Sequence, residues 1–509
     1  MKLEKIEVLS KDEIQIIHSA TIELLSTVGI KVDAKDTREL FEKNGANVDN
    51  ETNFVTIPEN LVKDKLKTVP SSFKLYGPDG SFNFEVNTTT TKFATIGTPV
   101  KLYDSSHPKS LRNVIFEDNI KQIRIVDSLE HIMCSHVDIW PNDIPYLELH
   151  CHCIREWARH SFKPYGLGCL GKVASQDMMN LLTIIVGSEE ELIKRPRFVG
   201  FMNPTSPLHL PQIMTNGFAV FAKYKQPTIV APEALAGTSA PVTLAGLLTQ
   251  TNAEILGGIV LSQLYNPGAP VFFGTVSQTT DMRSGNSAIG SIETGLITTG
   301  IAQLARYYNI PSRGPGGVTD SKVFDIQNGF ERLQTLLLAA QAGINYITCA
   351  GTYEATLVGA FELLAIDNEL AGMILRAFEG ITVNEDTIAL DLIKKVATST
   401  QKGSTFLGEK HTLKYMRKEL FFPKLLDRNR RATWRKKGSK DIMDRAREII
   451  ENILITQKGP GLSSDIENKL ADYTKMVSKR TFEEYQKKEG IISDSVTLPD
   501  GIEVKKEGS

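Results

Sequence analysis

Polar, charged and aromatic side chains recur just after short apolar segments in the middle of this chain, and they form its candidate chemical site. The set combines carboxylates, amides, a histidine, two arginines and aromatic rings: His136, Trp140, Phe201, Asn203, Glu233, Gln278, Arg283, Arg313, Tyr353 and Glu354. It contains no lysine placed to form a Schiff base, so the pattern disfavours an aldolase that works through a covalent imine.

Aromatic rings beside carboxylates indicate a different chemistry. Trp140 and Tyr353 follow the ends of their segments, and Asp138, Glu233 and Glu354 supply carboxylates in equivalent positions. A quaternary ammonium ion cannot donate a hydrogen bond, and it is held by ring quadrupoles and diffuse negative charge. The set therefore suits such a cation, and packing in the protein wall is the alternative explanation for each ring.

One short run suggests a metal site, namely His150, Cys151, His152 and Cys153. The run lies inside a predicted helix, where neighbouring side chains point about 100° apart and cannot converge on one ion. No Cys-x-x-Cys spacing supports it elsewhere in the chain. The sequence therefore predicts no metal site.

Eight short apolar segments, each followed by a helical pattern, determine where the candidate residues lie. The segments span residues 91–96, 131–137, 164–169, 197–202, 227–231, 270–275, 310–314 and 345–350. Strands that alternate with helices predict βαβ units and a parallel sheet. Eight such units, over a length near the ~250 residues usual for the fold, predict an α/β protein with a closed (β/α)8 TIM barrel, whose chemistry lies at the carboxyl ends of its strands.

Glycines follow the seventh predicted strand, at Gly314, Gly316 and Gly317. In many barrels the loop at this position binds phosphate through backbone N–H groups. The alternatives are a tight turn and glycines that let a bulky group approach the mouth. A lone glycine-rich loop is weak evidence, so these alternatives stay open.

The helical patterns at residues 240–265 and 290–308 are apolar on every face. A helix of this kind is buried. In a barrel, where helices form the outer layer, we expect the two patterns to contact other subunits. The sequence therefore predicts a homo-oligomer.

Composition and charge exclude several broad classes of protein. The 509 residues include 58 Lys and Arg and 60 Asp and Glu, a formal net charge of −2. No overall field then favours nucleic acid or an anionic membrane. No run approaches the ~20 apolar residues that span a bilayer, and the first residues lack the apolar core of a signal peptide. Five cysteines in so long a chain are explained as reduced thiols, so we expect a cytoplasmic protein.

The barrel does not account for the whole chain. We expect residues 1–90 to form an N-terminal helical cap, residues 91–379 the barrel, and residues 380–509 a C-terminal helical extension with a weakly ordered tail. Within the extension, residues 381–396 are predicted to form one helix, and residues 410–437 are strongly basic. That basic stretch either docks an acidic partner or forms a solvated helix face.

Five blocks of sequence resemble the trimethylamine methyltransferase family. They are APEALAGTSAPVTLAG (231–246), NAEILGGIVLSQLYNPGAPVFFG (252–274), TDMRSGNSAIGSIE (280–293), ARYYNIPSRGPGGVTDSK (305–322) and FLGEKHTLKYMRKELFFPKLLDR (406–428). The resemblance extends over nearly the whole chain, including both flanking regions. It implies a (β/α)8 barrel that moves a methyl group from a methylated amine to the cobalt of a separate corrinoid protein.

One departure from the family pattern bears on the substrate. The archetypal trimethylamine enzymes carry pyrrolysine in the barrel, whereas this sequence consists of standard residues throughout. It resembles the branch without pyrrolysine, whose substrates are quaternary amines such as glycine betaine, proline betaine, carnitine and γ-butyrobetaine. We expect glycine betaine because that activity is abundant in the family. The implied cobalamin is carried by the corrinoid partner, and no tightly bound cofactor is expected.

The resemblance also implies roles for the candidate residues. A quaternary nitrogen already carries its positive charge, so no catalytic acid or base is expected, and the barrel has to orient one methyl group and exclude water. Glu233 and Glu354 would balance the ammonium charge. The carboxylate of a betaine would bind among Arg313, Arg283, Asn203, Gln278 and His136, and an Arg fork suits it best. Gly314, Gly316 and Gly317 would lie where the corrinoid approaches.

Two other functions stay open on the sequence alone. One is a cofactor-free barrel lyase or isomerase that binds a phosphorylated substrate at the glycine-rich loop. The other is a non-catalytic module that binds a betaine. Activity without cobalamin would favour the first alternative, and binding without methyl transfer would favour the second.

Overall fold

The fold is described for most of the chain by a computed structural model. It covers residues 4–97, 99–107, 110–137, 139–400 and 403–490, and the backbone of two short strands, Ser495–Thr497 and Glu503–Lys505. The predictions that concern Asp138 and the weakly ordered tail fall outside the described residues.

Eight parallel strands form the central sheet. They are β1 (Lys92–Ala94), β2 (Ile132–Cys134), β3 (Tyr165–Gly168), β4 (Phe198–Met202), β5 (Thr228–Val230), β6 (Val271–Gly274), β7 (Ser312–Pro315) and β8 (Tyr346–Thr348). Strands β3 to β8 pair in sequence order, β8 pairs with β1, and β1 pairs with β2. Backbone hydrogen bonds from Ser135 N–H to Pro164 O and from Val137 N–H to Gly166 O join the ends of β2 and β3. The sheet therefore closes, which confirms the predicted (β/α)8 barrel.

A helix follows each strand. The helices are α1 (Phe116–Ser128), α2 (Tyr146–His160), α3 (Gly171–Val186), α4 (Gln212–Lys223), α5 (Leu244–Tyr265), α6 (Ile292–Tyr307), α7 (Ile326–Ala342) and α8 (Phe361–Glu379). The local sequence explains where several of these helices begin or end. The Ser291 and Asp325 side chains cap the first turns of α6 and α7, and Gly343 ends α7 with φ +84°.

Helix α5 is long and apolar enough, by length and composition, to cross a membrane, which differs from the sequence-based expectation that no such run exists. However, 78% of its apolar window is buried inside the protein, and the helices Lys11–Thr27 and Glu59–Leu66 pack against it. It is therefore explained as a core helix. Because the N-terminal region of the same chain covers α5, its apolar faces do not require another subunit, and the subunit contact stays a prediction.

A β-hairpin closes the amino end of the barrel. Its strands, Ser72–Tyr76 and Asn83–Asn87, precede β1. Phe73 of the hairpin packs edge-on against Phe272 of β6, with ring centroids 5.1 Å apart, and Phe84 joins the same apolar cluster. The hairpin therefore covers the amino end of the barrel interior.

The chain beyond the barrel is helical. Its helices are Glu385–Ile388, Leu390–Ala397, Lys410–Glu419, Arg431–Lys436, Ile442–Thr456, Ser464–Val477 and Phe482–Glu489. The single helix predicted over residues 381–396 is broken at Ala389, which has φ +55°. No side chain of the two resulting helices is buried, so no packing holds them in one continuous helix.

Candidate active site

A cavity of about 330 Å³ opens at the carboxyl end of the barrel. Every barrel strand, or the loop after it, contributes to the wall. The lining residues are Ile96, Gly97, His136, Val137, Trp140, Leu167, Gly168, Leu170, Phe201, Asn203, Met214, Glu233, Val276, Ser287, Ile289, Arg313, Cys349, Ala355, Thr356 and Leu357. Sites for small molecules commonly measure about 300–1,000 Å³. A larger surface groove lies at the other end of the barrel, far from the strand ends where barrels place their chemistry.

The structure brings six of the predicted site residues together in this wall. They are His136, Trp140, Phe201, Asn203, Glu233 and Arg313. Gln278 lies one layer behind, in contact with Glu233. The remaining predicted residues lie elsewhere, as described below.

Glu233 is the acidic residue in the described lining of the cavity, three residues beyond the end of β5. Its carboxylate is accessible from the cavity but otherwise surrounded by protein, and this burial raises its pKa. Gln278 Nε2 donates to Glu233 Oε1 at 3.0 Å, and Ser287 Oγ donates to Gln278 Oε1 at 2.7 Å. The Gln278 hydrogen bond and the charge of Arg313 oppose the rise in the Glu233 pKa. Two neutral side chains, Gln278 and behind it Ser287, thus hold the carboxylate in its orientation.

Arg313 lies within strand β7 and is only 1% exposed. Its guanidinium donates to Thr275 O at 2.7 Å and to Thr348 Oγ1, and it lies 5.2 Å from the centroid of the Phe201 ring. The buried Nε atom has no hydrogen-bond partner among the described residues. Burial lowers the Arg313 pKa, but a guanidinium stays protonated in proteins. The floor of the cavity therefore holds a fixed positive charge and one N–H group, at Nε, that still lacks an acceptor.

His136 is buried close to the positive charge of Arg313. Its Nε2 lies 3.0 Å from the Tyr346 hydroxyl, and its backbone N–H donates to Thr95 Oγ1 at 3.0 Å. Burial, and secondarily the positive charge of Arg313, lower the His136 pKa to about 3. The imidazole is neutral at physiological pH, so it shapes the wall without adding charge to it.

Gly166 of β3 makes room for this imidazole. A Cβ atom added at Gly166 would lie 2.1 Å from His136 Nδ1 and 2.8 Å from Val199 O. We expect Gly166→Ala to displace the His136 ring, to lower the free energy of unfolding by about 1–3 kcal/mol, and to weaken ligand binding. Thermal unfolding and a ligand titration would measure both effects.

Gly329 provides the matched control. It lies on the exposed face of α7, and an added Cβ would meet nothing within 4 Å. Gly329→Ala is expected to stabilise the protein slightly, because alanine favours the helix and restricts the unfolded chain. Equal effects of the two substitutions would contradict the close packing at His136.

Aromatic and aliphatic side chains form the rest of the wall. Trp140 stacks on Tyr146 with ring centroids 5.9 Å apart and 10° between the planes. The Asn203 amide donates to Ala231 O at 3.2 Å, which fixes its orientation. Sequence reasoning missed the aliphatic part of the wall, namely Ile96, Val137, Leu167, Leu170, Met214, Val276, Ile289 and Leu357. Apolar residues at strand ends carry no signal that separates cavity lining from core.

Tyr353 and Glu354 do not line the cavity. The Tyr353 ring is 1% exposed and packs against Phe324, with centroids 5.1 Å apart. The difference from the prediction is explained by a tight hairpin, in which Thr352–Tyr353 pairs with Val358–Gly359. The three residues that follow Tyr353 all have positive φ, at 51°, 53° and 67°. This left-handed turn directs Ala355–Leu357, rather than the predicted Tyr353 and Glu354, towards the cavity.

Arg283 and the three glycines that follow β7 also lie elsewhere than the sequence predicts, because none of them lines the cavity. An added Cβ would lie 2.8 Å from Thr298 Cγ2 at Gly314 and 2.6 Å from Ile347 Cγ2 at Gly316. These glycines, like the buried Gly317, allow close packing of helices and strands outside the cavity. Gly316 N–H already donates to Thr348 O. Arg283 is exposed and is not among the lining residues.

The His–Cys run in α2 has structural partners. His150 Nε2 lies 3.3 Å from Asp177 Oδ2, and Cys151 and Cys153 are buried in the main apolar core. Burial raises the pKa of both thiols. Within the described ranges, no group of three or more His, Cys, Asp or Glu residues could hold a metal ion.

Known proteins resemble this chain over nearly its full length. Residues 1–483 match the family model described as trimethylamine methyltransferase (MTTB). The glycine betaine methyltransferase of Desulfitobacterium hafniense (strain Y51) is 31% identical over 484 residues, 95% of this chain and 99% of that protein. The trimethylamine methyltransferase MttB of Methanosarcina barkeri (strain Fusaro) is 35% identical over 489 residues, 93% of this chain and 95% of that protein.

Among solved structures, the monomethylamine methyltransferase MtmB of Methanosarcina barkeri is similar to this chain with 13% sequence identity and a TM-score of 0.42, over 89% of this chain and 96% of that one. The family assignment depends on the sequence match, which spans the barrel and both flanking regions. This chain belongs to the trimethylamine methyltransferase family and is a methyltransferase.

Proposed function

We propose that this enzyme transfers a methyl group from a quaternary amine, with glycine betaine as the preferred substrate, to the cobalt of a corrinoid carried by a separate protein. Family membership and the names of the two relatives support a methylated amine as the donor. The observation that carries the narrower proposal is the combination of Glu233 and Arg313 in one small cavity with apolar and aromatic walls.

The two charges match the two ends of a betaine. The trimethylammonium group would lie near the Glu233 carboxylate and the rings of Phe201 and Trp140, which attract a cation without hydrogen bonds. The carboxylate would lie near Arg313. Since Arg313 is inside its strand and Glu233 lies three residues beyond the end of β5, this orientation directs the N-methyl groups towards the mouth.

The reaction needs orientation more than acid–base chemistry. The corrinoid, as the acceptor substrate, supplies a cobalt nucleophile for the methyl carbon. When the C–N bond breaks, its electron pair stays on nitrogen, so the nitrogen of the leaving amine becomes neutral and needs no proton, while the carboxylate keeps its charge. The chain has to fix the substrate and exclude water. The neutral His136 and the Glu233 carboxylate, which Gln278 holds in one orientation, suit a site that positions its substrate without acid–base catalysis.

The acceptor would approach along the loop that contains Ala355, Thr356 and Leu357, since these residues line the cavity and the Leu357 side chain is 58% exposed. This replaces the glycine-rich loop as the proposed approach. We place the reaction in the cytoplasm, because the five cysteines are all buried and form no disulfide.

The alternatives receive less support. A phosphate site at the glycine-rich loop lacks a basis, because Gly316 N–H and Val318 N–H already donate to Thr348 O and Thr335 Oγ1. Longer quaternary amines such as carnitine would place an extra chain of atoms in a cavity of about 330 Å³. Glycine betaine is the smallest of these betaines and carries the two opposite charges that Glu233 and Arg313 would hold.

Substrate affinity should depend on pH through Glu233. Only the ionised carboxylate attracts the ammonium group, and burial raises the pKa of Glu233 above the usual 4.5. Affinity therefore falls as the pH decreases through this raised pKa, at a higher pH than for an ordinary glutamate. Calorimetric titrations with glycine betaine at decreasing pH would show this loss. The Glu233→Gln variant should show no such pH dependence.

A panel assay tests the proposal as a whole. The protein is mixed with reduced corrinoid protein and, in turn, with glycine betaine, proline betaine, carnitine, γ-butyrobetaine and inorganic phosphate, and the cobalt absorption spectrum is followed. We expect a spectral change with glycine betaine that is fastest within the panel. Binding of a betaine without any spectral change would favour a non-catalytic module instead.

A further inference from the structure

The loops after β5 and β6 form a small three-stranded sheet at the carboxyl end of the barrel. We call it the rim sheet; its strands, in spatial order, are Leu235–Ala236, Gln278–Thr280 and Ser287–Ala288. The first strand begins two residues after Glu233. The second and third strands contain Gln278 and Ser287, so the rim sheet carries the two side chains that orient the Glu233 carboxylate.

Backbone pairing holds the strands of the rim sheet together. Leu235 pairs in parallel with Gln278, and Gln278 N–H donates to Ala234 O at 3.0 Å. Ser287 pairs antiparallel with Thr280. The turn between the second and third strands, residues 281–286, is exposed. Because strands this short are marginal in water without further contacts, the position of the third strand depends on what holds its end.

Asp320, in the loop after β7, holds that end. Its carboxylate oxygens accept the backbone N–H groups of Ile289 at 3.1 Å and Gly290 at 2.9 Å. These two residues directly follow the third strand. The approach is close, because a Cβ atom added at Gly290 would lie 2.5 Å from Glu331 Oε2 and 3.0 Å from Asp320 N. Hydrogen bonds from backbone N–H groups to a carboxylate are stronger than those between neutral groups.

The position of Asp320 is fixed in turn by α7 and by the loop after β8. Its backbone N–H donates to Glu331 Oε2 at 2.8 Å, and Thr319 Oγ1 donates to the same oxygen at 2.7 Å. Ala355 N–H donates to Thr319 O at 2.9 Å. Asp320 is half-buried and is not among the lining residues of the cavity. Any effect of Asp320 on the substrate therefore passes through other residues.

We propose that Asp320 is a positioning residue for the Glu233 carboxylate. Asp320 holds the end of the third strand, where Ser287 Oγ donates to Gln278 Oε1 at 2.7 Å. Gln278 Nε2 donates in turn to Glu233 Oε1 at 3.0 Å. Without the Asp320 carboxylate the third strand can shift, and the Gln278 amide loses the partner that orients it. This inference rests on the proposed function, in which Glu233 attracts the ammonium group of the substrate.

A double-mutant cycle separates positioning of Glu233 from general support of the wall. Asp320→Asn keeps the size of the side chain and leaves one acceptor oxygen in place of two. By calorimetric titration, we expect it to weaken glycine betaine binding about threefold to tenfold. In the Glu233→Gln background it should cause no further loss, because no charge is left to orient. In the Arg313→Met background the full loss should persist, since Arg313 would hold the other end of the substrate.

One outcome of the cycle would overturn the proposal directly. Ile289 lines the cavity, so Asp320 could support the wall there without any effect on Glu233. Asp320→Asn would then weaken binding equally in the wild-type and Glu233→Gln backgrounds.

The pH dependence of binding is a readout that a merely structural role would not move. The hydrogen bond from Gln278 and the charge of Arg313 lower the pKa of Glu233 against the effect of burial. Asp320→Asn loosens Gln278 and leaves Arg313 in place, so the pKa of Glu233 should rise further. The pH at which affinity is half lost should therefore shift upwards. The charged neighbours of Asp320 are Glu331 and Lys322. Loss of the Asp320 charge alone would shift the pH downwards, so an unchanged or lower value would contradict the proposal.

A second variant and a matched control complete the test. Ser287→Ala interrupts the same path one step closer to Glu233, and it should give the same pattern in the cycle even if Asp320→Asn fails to fold. Asp49→Asn is the control, because the exposed Asp49 carboxylate also accepts two backbone N–H groups, those of Glu51 and Thr52. It should leave the affinity for glycine betaine unchanged.

Hydrogen exchange examines the rim sheet without any ligand. In Asp320→Asn, amides of residues 278–291 should exchange about fivefold faster than in the wild type, and in Asp49→Asn at the wild-type rate. A wild type that binds no quaternary amine would refute the proposed function, and the positioning of Glu233 with it. A wild type that binds glycine betaine, beside a folded Asp320→Asn variant that binds it equally well, would overturn this inference alone.

Discussion

Replacing Glu233 with glutamine is expected to weaken the binding of glycine betaine about thirtyfold or more, since loss of one member of a buried charge pair costs ~2 kcal/mol or more. Glutamine has nearly the same shape, and Gln278 can still contact it, so the fold should persist. The effect then reports the loss of negative charge at the cavity wall. Calorimetric titration of both proteins with glycine betaine measures it.

Glu354→Gln is the matched control for this experiment. Both glutamates follow barrel strands and both are predicted site residues, but only Glu233 lines the cavity. The control should bind glycine betaine like the wild type. If Glu354→Gln weakens binding and Glu233→Gln does not, the carboxylate has been assigned to the wrong residue.

Replacing Arg313 with methionine is expected to reverse the preference between two quaternary amines. Methionine keeps an unbranched stem in the buried position and removes the charge that would hold a substrate carboxylate. Binding of glycine betaine should weaken by about 2–5 kcal/mol. Choline, which has the same trimethylammonium group and no carboxylate, should bind as well as before or better. Competitive titration with both compounds gives the ratio.

Two controls accompany Arg313→Met. Arg283→Met changes an exposed arginine of a nearby loop and should leave both affinities unchanged. Thermal unfolding has to be measured as well, because Thr275 O and Thr348 Oγ1 lose their donor, at a cost of about 1–3 kcal/mol for each buried group left unpaired. An equal loss of affinity for glycine betaine and choline would mean that Arg313 only supports the wall.

The fold was predictable to a large extent because its signals are local and repeated. All eight barrel strands lie where apolar segments of the right length precede helical patterns, and the caps at Ser291 and Asp325 mark helix starts directly. The hairpin that closes the amino end was missed. Its strands of five residues are half exposed and depend on contacts with Phe272, far along the chain, which periodicity cannot show.

The site was predictable only in part. The end of a strand indicates roughly where a residue lies, but it does not indicate whether the side chain points into the cavity. Glu233 and Arg313 lie in or soon after their strands and point into the cavity. Tyr353 occupies a comparable position, but the left-handed turn after it rotates the following residues inward and leaves its ring outside. Three consecutive residues with positive φ, none of them glycine, have no sequence signature.

A single-turnover comparison of glycine betaine with trimethylamine tests the central claim most directly. The claim is that a pre-existing positive charge on nitrogen, held between Glu233 and the aromatic wall, makes a methyl group transferable without an acid catalyst. With reduced corrinoid protein in excess, glycine betaine should change the cobalt spectrum and yield dimethylglycine in equal amount, while trimethylamine should give neither. Methyl transfer from trimethylamine at a rate equal to or above that from glycine betaine would contradict the account.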